Sequence, residues 1–273
     1  MKLAAIQMVS TDDLSQNLDD ATRLLQEAAQ AGAELAVLPE YFCLMGQKDS
    51  DKLGIAEAFG RGPIQAFLSA KAKALGLWIV AGTLPLVATE PGRVINSSLV
   101  FNPQGQCAAR YDKIHLFKFD NGTESYDEAQ VIQRGSEPVL FDLPSRDGHT
   151  WRVGLSVCYD LRFPELYRHY ATVGADLLLV PSAFTYTTGQ AHWEVLLRAR
   201  AIENLAFVAA AAQGGEHRNR RRTWGQSLVI DPWGSVLAQR ATGAGVVCCD
   251  MDASDLGRRR TALPALSHRV LTQ

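Results

Sequence analysis

Three residues suited to acyl-transfer chemistry stand in short motifs: Cys158 in "RVGLSVCYDLRFPE", Glu40 in "LAVLPEYF" and Lys113 in "RYDKIHLF". A thiol can bond covalently to a carbonyl carbon once a base takes its proton. A carboxylate can be that base when burial or a neighbouring charge tunes its pKa. Protonated lysine has donors and no acceptor, so beside these two it suits a developing oxyanion. Each residue also has a plainer reading. Free cysteine is among the most buried residue types, a carboxylate at a strand end can simply be solvated, and most lysines are surface. Six histidines, His115, His149, His169, His192, His217 and His268, offer other bases, but none stands in a recognisable cysteine-protease signature.

The elements that must carry these residues follow from periodicity. Period two in "RVGLSVCYD" predicts a strand with Val153, Leu155 and Val157 on one face and Gly154, Ser156 and Cys158 on the other. The thiol then ends the strand, where open α/β folds place reacting groups. "ELAVLPE" predicts a second strand running into Glu40. Between strands, Leu18, Ala21, Leu25 and Ala28 share one helical face. A further helix starts behind Pro63, turns Ile64, Phe67, Leu68, Ala72 and Leu75 inward and stops at Gly76, before the strand "LWIVAGT". This is α/β alternation.

Two segments recur in the same order. "AGAELAVLPEYF" at 31–42 resembles "VGADLLLVPSAF" at 173–184, and "NSSLVFNPQG" at 96–105 resembles "GQSLVIDPWG" at 225–234. The second pair predicts hairpins closed by Asx-Pro-x-Gly turns, with Lys113 just beyond the first. The chain therefore reads as two similar α/β halves, roughly 1–112 and 150–250. If each half is a sheet with helices on one face, the bare faces bury each other in a four-layer α-β-β-α sandwich. No linker or low-complexity segment divides the halves, so residues 1–273 are expected to form one domain.

Composition sets the class. Lys and Arg total 27 against 29 Asp and Glu, a net charge of −2, which gives no general attraction for nucleic acid or an anionic membrane. The apolar run near the N-terminus is too short for a signal-peptide core or a membrane span, so the cytoplasm is the expected compartment. Five scattered cysteines, Cys43, Cys107, Cys158, Cys248 and Cys249, argue against a disulfide framework, and no CxxC pair suggests zinc. Neither GxxxxGK[ST] nor a complete GxGxxG follows a strand, and "GLSVC" lacks the final glycine of G-x-S-x-G.

Together "LAVLPEYF", "YDKIHLF" and "GLSVCYDLRFPELYR" resemble the ordered Glu, Lys and Cys motifs of the nitrilase superfamily. "SAFTYTTGQAHWEVLLRARAIEN", "WGQSLVIDPWG" and "LPALSHR" extend that resemblance over nearly the whole chain. It implies the same sandwich, a homodimer or larger assembly, and no cofactor or metal. It also implies that Cys158 is the nucleophile, Glu40 the general base and Lys113 the oxyanion-stabilising cation, with a thioester intermediate and release of ammonia. A second active-site glutamate is expected at Glu128, with Glu124 as the alternative, and the Tyr159 backbone N–H should complete an oxyanion hole.

"CYDLRFPEL", "PSAF" and "VAAAAQGG" look most like the Nit amidases, which act on deaminated glutathione or 2-oxoglutaramate, so a small amide substrate is expected. A nitrilase or N-carbamoyl amino acid hydrolase could use the same three residues. A catalytically silent scaffold is the alternative from another class. His192 is a candidate for the pocket or the dimer seam. Among Arg218, Arg220, Arg221 and Arg222, Arg218 stands for the loop as a candidate for attracting substrate carboxylates. In "AHWEVLLRARAIEN" the pairs Glu194/Arg198 and Arg200/Glu203 have the spacing of local ion pairs.

Overall fold

Alternation in the first strand sets its two neighbours. The computed structural model describes residues 1–271, and in β1 (Lys2–Gln7) Leu3 and Ala5 join the core shared with the second half of the chain. Ala4 and Ile6 pack instead with α1 (Leu14–Gln30). Asp13 caps that helix by accepting from the Gln16 amide, and the buried face is Ala21, Leu24, Leu25 and Ala28, with Leu18 at its margin. The chain continues through β2 (Leu35–Val37), α2 (Pro63–Leu75), β3 (Trp78–Val80), β4 (Leu84–Val87), β5 (Val94–Phe101) and β6 (Cys107–Asp112). Pro63 opens α2 and Gly76, at φ 64°, closes it.

A small hairpin, β7 (Lys118–Asp120) and β8 (Ser125–Asp127), precedes the second half. There β9 (Leu140–Pro144), β10 (Thr150–Leu155), α3 (Pro164–Thr172), β11 (Leu177–Leu179), α4 (Tyr186–Asn204) and β12 (Phe207–Ala210) lead to β13 (Ser227–Ile230), β14 (Val236–Arg240), β15 (Gly245–Asp250) and α5 (Ala253–Ala262).

One sheet runs β15-β1-β2-β3-β5-β4 with β6 also on β5, and the other runs β14-β13-β12-β11-β10-β9. Each contains a parallel trio, β1-β2-β3 aligned at Leu3, Leu35 and Trp78, and β10-β11-β12 aligned at Val153, Leu177 and Phe207. The repeat extends to detail. Both hairpins shift register at matching residues, Val100/Phe101 and Val229/Ile230. Both turns are closed by one acceptor oxygen: Asn102 Oδ1 accepts from the amides of Gln104 and Gln106, and Asp231 Oδ1 from those of Trp233 and Ser235. The helices lie outside and apolar sheet faces meet inside, giving the α-β-β-α sandwich.

Two sequence expectations are corrected. The second half does not keep its last strand: β15 crosses over and pairs antiparallel with β1, covering an edge that would otherwise be open. And the strand leading to the cysteine ends at Leu155, so Cys158 stands on a turn of 3₁₀ helix, Cys158–Arg162, rather than on the strand. Residues 272 and 273 of the expected domain lie outside the described residues. Among those described, no helix is long and apolar enough to cross a membrane.

Candidate active site

Glu40, Lys113 and Cys158 come from three separate elements and meet at one end of the sandwich. Glu40 follows β2, where Gly82 (φ 55°) makes a close approach possible: a Cβ there would lie 1.9 Å from the Pro39 carbonyl oxygen. Lys113 follows β6, and its amide donates to the Asn96 carbonyl at 3.0 Å. The same Asn96 donates through Nδ2 to Glu40 Oε1 at 3.0 Å, tying hairpin and carboxylate together. On the other side of Lys113, Gly135 donates to its carbonyl, and a Cβ at Gly135 would lie 2.3 Å from the Asp112 carbonyl oxygen.

The charges are held closely. Lys113 Nζ donates to Glu40 Oε1 at 2.9 Å and to the two oxygens of Glu128 at 2.9 and 2.8 Å, with the lysine side chain wholly buried. Glu40 Oε2 accepts from the Ala183 amide at 2.9 Å, so one carboxylate bridges both halves of the fold. Glu128 also accepts from the Tyr41 hydroxyl and the Phe117 amide, each at 2.7 Å. Glu124 instead accepts from Thr187 Oγ1, so Glu128 is the glutamate brought to Lys113.

Burial alone would push Lys113 down, but Glu128 and Glu40 reverse this and hold the ammonium well above its ordinary range. Burial likewise opposes ionisation of Glu128, yet Lys113 and the Phe117 amide keep its carboxyl below the usual value. The Cys158 thiol is pushed far up, first by burial and then by Glu40 and Glu128, with Lys113 only partly offsetting them. The resting group is therefore a thiol, and the nearby carboxylates must receive its proton if it is to attack a carbonyl. Lys113 already supplies the positive charge between the carboxylates. Among the described residues no group of three His, Cys, Asp or Glu is placed to hold a metal ion.

Cys158 adopts φ 50°, a left-handed conformation that costs a β-carbon residue about 1–3 kcal/mol. Its neighbours enforce it. The Cys158 amide donates to the Pro181 carbonyl, and the Val157 amide to Asp160 Oδ2 at 2.8 Å. Asp160, fully buried, also accepts from Tyr111 Oη (2.7 Å), the His115 amide (3.0 Å) and His115 Nδ1 (2.7 Å). Arg200 on α4 holds the far end through two donors to the Leu161 carbonyl, besides its pair with Glu203. Tyr159 follows Cys158 on the same 3₁₀ turn and lines the cavity at this end of the fold. Replacing Asp160 by Asn would set an NH₂ against donors on one side, a mismatch of about 1–3 kcal/mol. Asp160→Asn is expected to lower kcat at least tenfold with a smaller change in KM, and to slow iodoacetamide reaction at Cys158. Unchanged kinetics in a less stable variant would show that Asp160 serves the fold alone.

A cavity at this end is lined by Glu40, Glu128, Cys158, Tyr159, Thr188 and Arg221, among others. Two sequence candidates are not brought to it. His192 is exposed on α4 and sits 3.3 Å from an Arg162 nitrogen, while its neighbour Trp193 is buried and donates to the Gln226 carbonyl. Arg218 turns outward to Asp12 and Gln16. The loop does send one arginine inward, Arg221, whose guanidinium donates to the Ala183 carbonyl at 3.1 Å. Tyr41, Asn96 and Asp160 were not singled out from sequence. Asp160 had a signal, a carboxylate three residues into a turn, where it can cap the first amide.

The chain matches the profile "Carbon-nitrogen hydrolase" over residues 2–261 and belongs to that family of hydrolases. Relatives include a deaminated glutathione amidase of Synechocystis, 41% identical over 98% of this chain and 97% of that protein. The omega-amidase NIT2 of Bos taurus is 36% identical over 98% and 94%. A solved Xanthomonas campestris protein, described as a CN-hydrolase superfamily protein with an arsenic adduct in the active site, superposes with a TM-score of 0.86 at 31% identity, covering 100% of this chain and 98% of that one. The chain is accordingly an amidase of the Nit branch.

Proposed function

We propose that this amidase acts on deaminated glutathione or a closely related 2-oxo-ω-amide, with Cys158 as nucleophile, Glu40 as general base and Lys113 as oxyanion partner. The observation that carries the reading is that Glu40 and Glu128, both bonded to the buried Lys113, line one cavity with Cys158, whose thiol is raised by burial and by those carboxylates. As Sγ bonds to the amide carbon, its proton passes to Glu40, and the carbonyl electrons collect on oxygen beside Lys113 and the Tyr159 amide. Glu40 then gives the proton to the departing nitrogen, leaving a thioester. Water attacks that thioester as Glu40 takes its proton, and the thiol returns.

For a primary amide such as 2-oxoglutaramate the leaving group is ammonia. For deaminated glutathione it is the amine of cysteinylglycine, which corrects the expectation of ammonia for that substrate. Rates of 2-oxo acid formation from both, with ammonia release from a carbamoyl amino acid and a nitrile, test the reading. Deaminated glutathione is expected to give a kcat/KM at least about tenfold above 2-oxoglutaramate, a modest specificity difference. The reverse order would make the protein an omega-amidase, hydrolysis of the nitrile alone would overturn the amide reading, and inactivity on all would favour the scaffold.

The protein is further proposed to work in the cytoplasm as a homo-oligomer. Five free cysteines suit a reducing compartment. A cleft of about 730 Å³ runs along α4, with Val195 (62% exposed) and Ile202 (47%) apolar at its surface. Such exposed apolar residues on one helix suit a face that a second copy covers.

A further inference from the structure

We infer that Arg221 is the residue that selects an anionic substrate, binding a carboxylate a few bonds from the scissile carbonyl. The inference rests on the amide-hydrolase reading above. Arg221 borders both the cavity containing Cys158 and an outer cleft of about 460 Å³, so it stands where the two join. Its donor to the Ala183 carbonyl puts the guanidinium on the residue whose amide binds Glu40, one residue's breadth from the base. Its Cζ lies 5.1 Å from the centre of the Tyr126 ring, a cation–π contact.

What is missing is an acceptor. Arg221 Nε is buried and, among the described residues, has no hydrogen-bond partner. Leaving such a donor unpaired is costly, and for a charged group more so. The carboxylates nearby are taken: Glu40 and Glu128 by Lys113, Asp49 by Lys52 at 3.1 Å, and Glu124 by Thr187. The outer cleft adds Lys48, Arg220 and Arg222, with Arg222 stacked 4.1 Å over Tyr186. An arginine fork with a free edge, in a cleft richer in cations than anions, fits a planar carboxylate. The outward-facing Arg218 and the inward Arg221 thus divide the roles of the basic loop between fold and recognition.

The test compares a matched pair, 2-oxoglutaramate and its methyl ester, with parent, Arg221→Met and Arg221→Lys. In Arg221→Met, kcat/KM for the acid is expected to fall about 30- to 100-fold further than for the ester, the worth of a charge-assisted bond. The extra loss should lie in KM, and Arg221→Lys should recover part of it. Equal falls for acid and ester would show that Arg221 only braces the Ala183 loop, and an unaltered preference for the acid would also overturn the inference. A parent that hydrolyses the ester as well as the acid overturns the inference but leaves the amidase reading standing. A parent that hydrolyses neither of these nor deaminated glutathione overturns both.

Discussion

Cys158→Ala is expected to form no acyl adduct with any amide, as read by intact mass, and to lose about four orders of magnitude or more in turnover. Alanine keeps the β-carbon and so the same left-handed backbone cost at φ 50°. The turn that Asp160 and Pro181 hold should survive, which separates lost chemistry from lost structure. The parent has a second, pH-dependent signature. Because burial and two carboxylates raise the Cys158 thiol well above its ordinary value of 9.0, alkylation by iodoacetamide should keep rising through pH 9 without levelling. If Glu40 takes the proton within the site, as proposed, amide turnover should not follow that rise. A plateau of alkylation near pH 7 would mean a preformed thiolate and would remove the need for Glu40 in the first step. An adduct on Cys158→Ala would end the assignment of the nucleophile.

The site was legible where its chemistry is local. Glu40 follows an apolar strand and Lys113 the first hairpin, and the matched Asx turns at Asn102 and Asp231 give the hairpins away because one side chain closes each turn. Pro63 and Gly76 bound α2 for the same reason. The position of Cys158 was harder to read, because the alternation of Val153, Leu155 and Val157 persists past the strand's end while Asp160 turns the backbone by capping Val157. Nothing in period two registers that. Which arginine of the basic loop turns inward depends on where Ala183 and Tyr126 lie in space, as does the crossing of β15 to β1. Such pairings join residues far apart in the chain, and local pattern carries no information about them.

Lys113→Met should damage both activity and fold, with opposite dependence on pH from the parent. If Lys113 is the oxyanion partner proposed above, its removal costs roughly a hundredfold or more in kcat. Removing the cation that, among the described residues, is bonded to both Glu40 and Glu128 should also destabilise the protein by about 3–5 kcal/mol at neutral pH. In the parent, Glu128 is held below its ordinary 4.5. A depressed carboxyl adds stability above its unfolded pKa and loses it as pH falls below about 4.5 toward the folded value. Without Lys113, burial dominates and the Glu128 carboxyl is raised, so its folded pKa exceeds the unfolded one. Its penalty is then full at neutral pH and is relieved as acid protonates it. The gap in unfolding free energy between parent and Lys113→Met, measured by urea denaturation, should therefore narrow steadily from pH 8 to pH 5. A gap constant over that range would mean that the carboxylates find other partners when the lysine is gone, and that the buried array is a smaller part of the fold than its geometry implies.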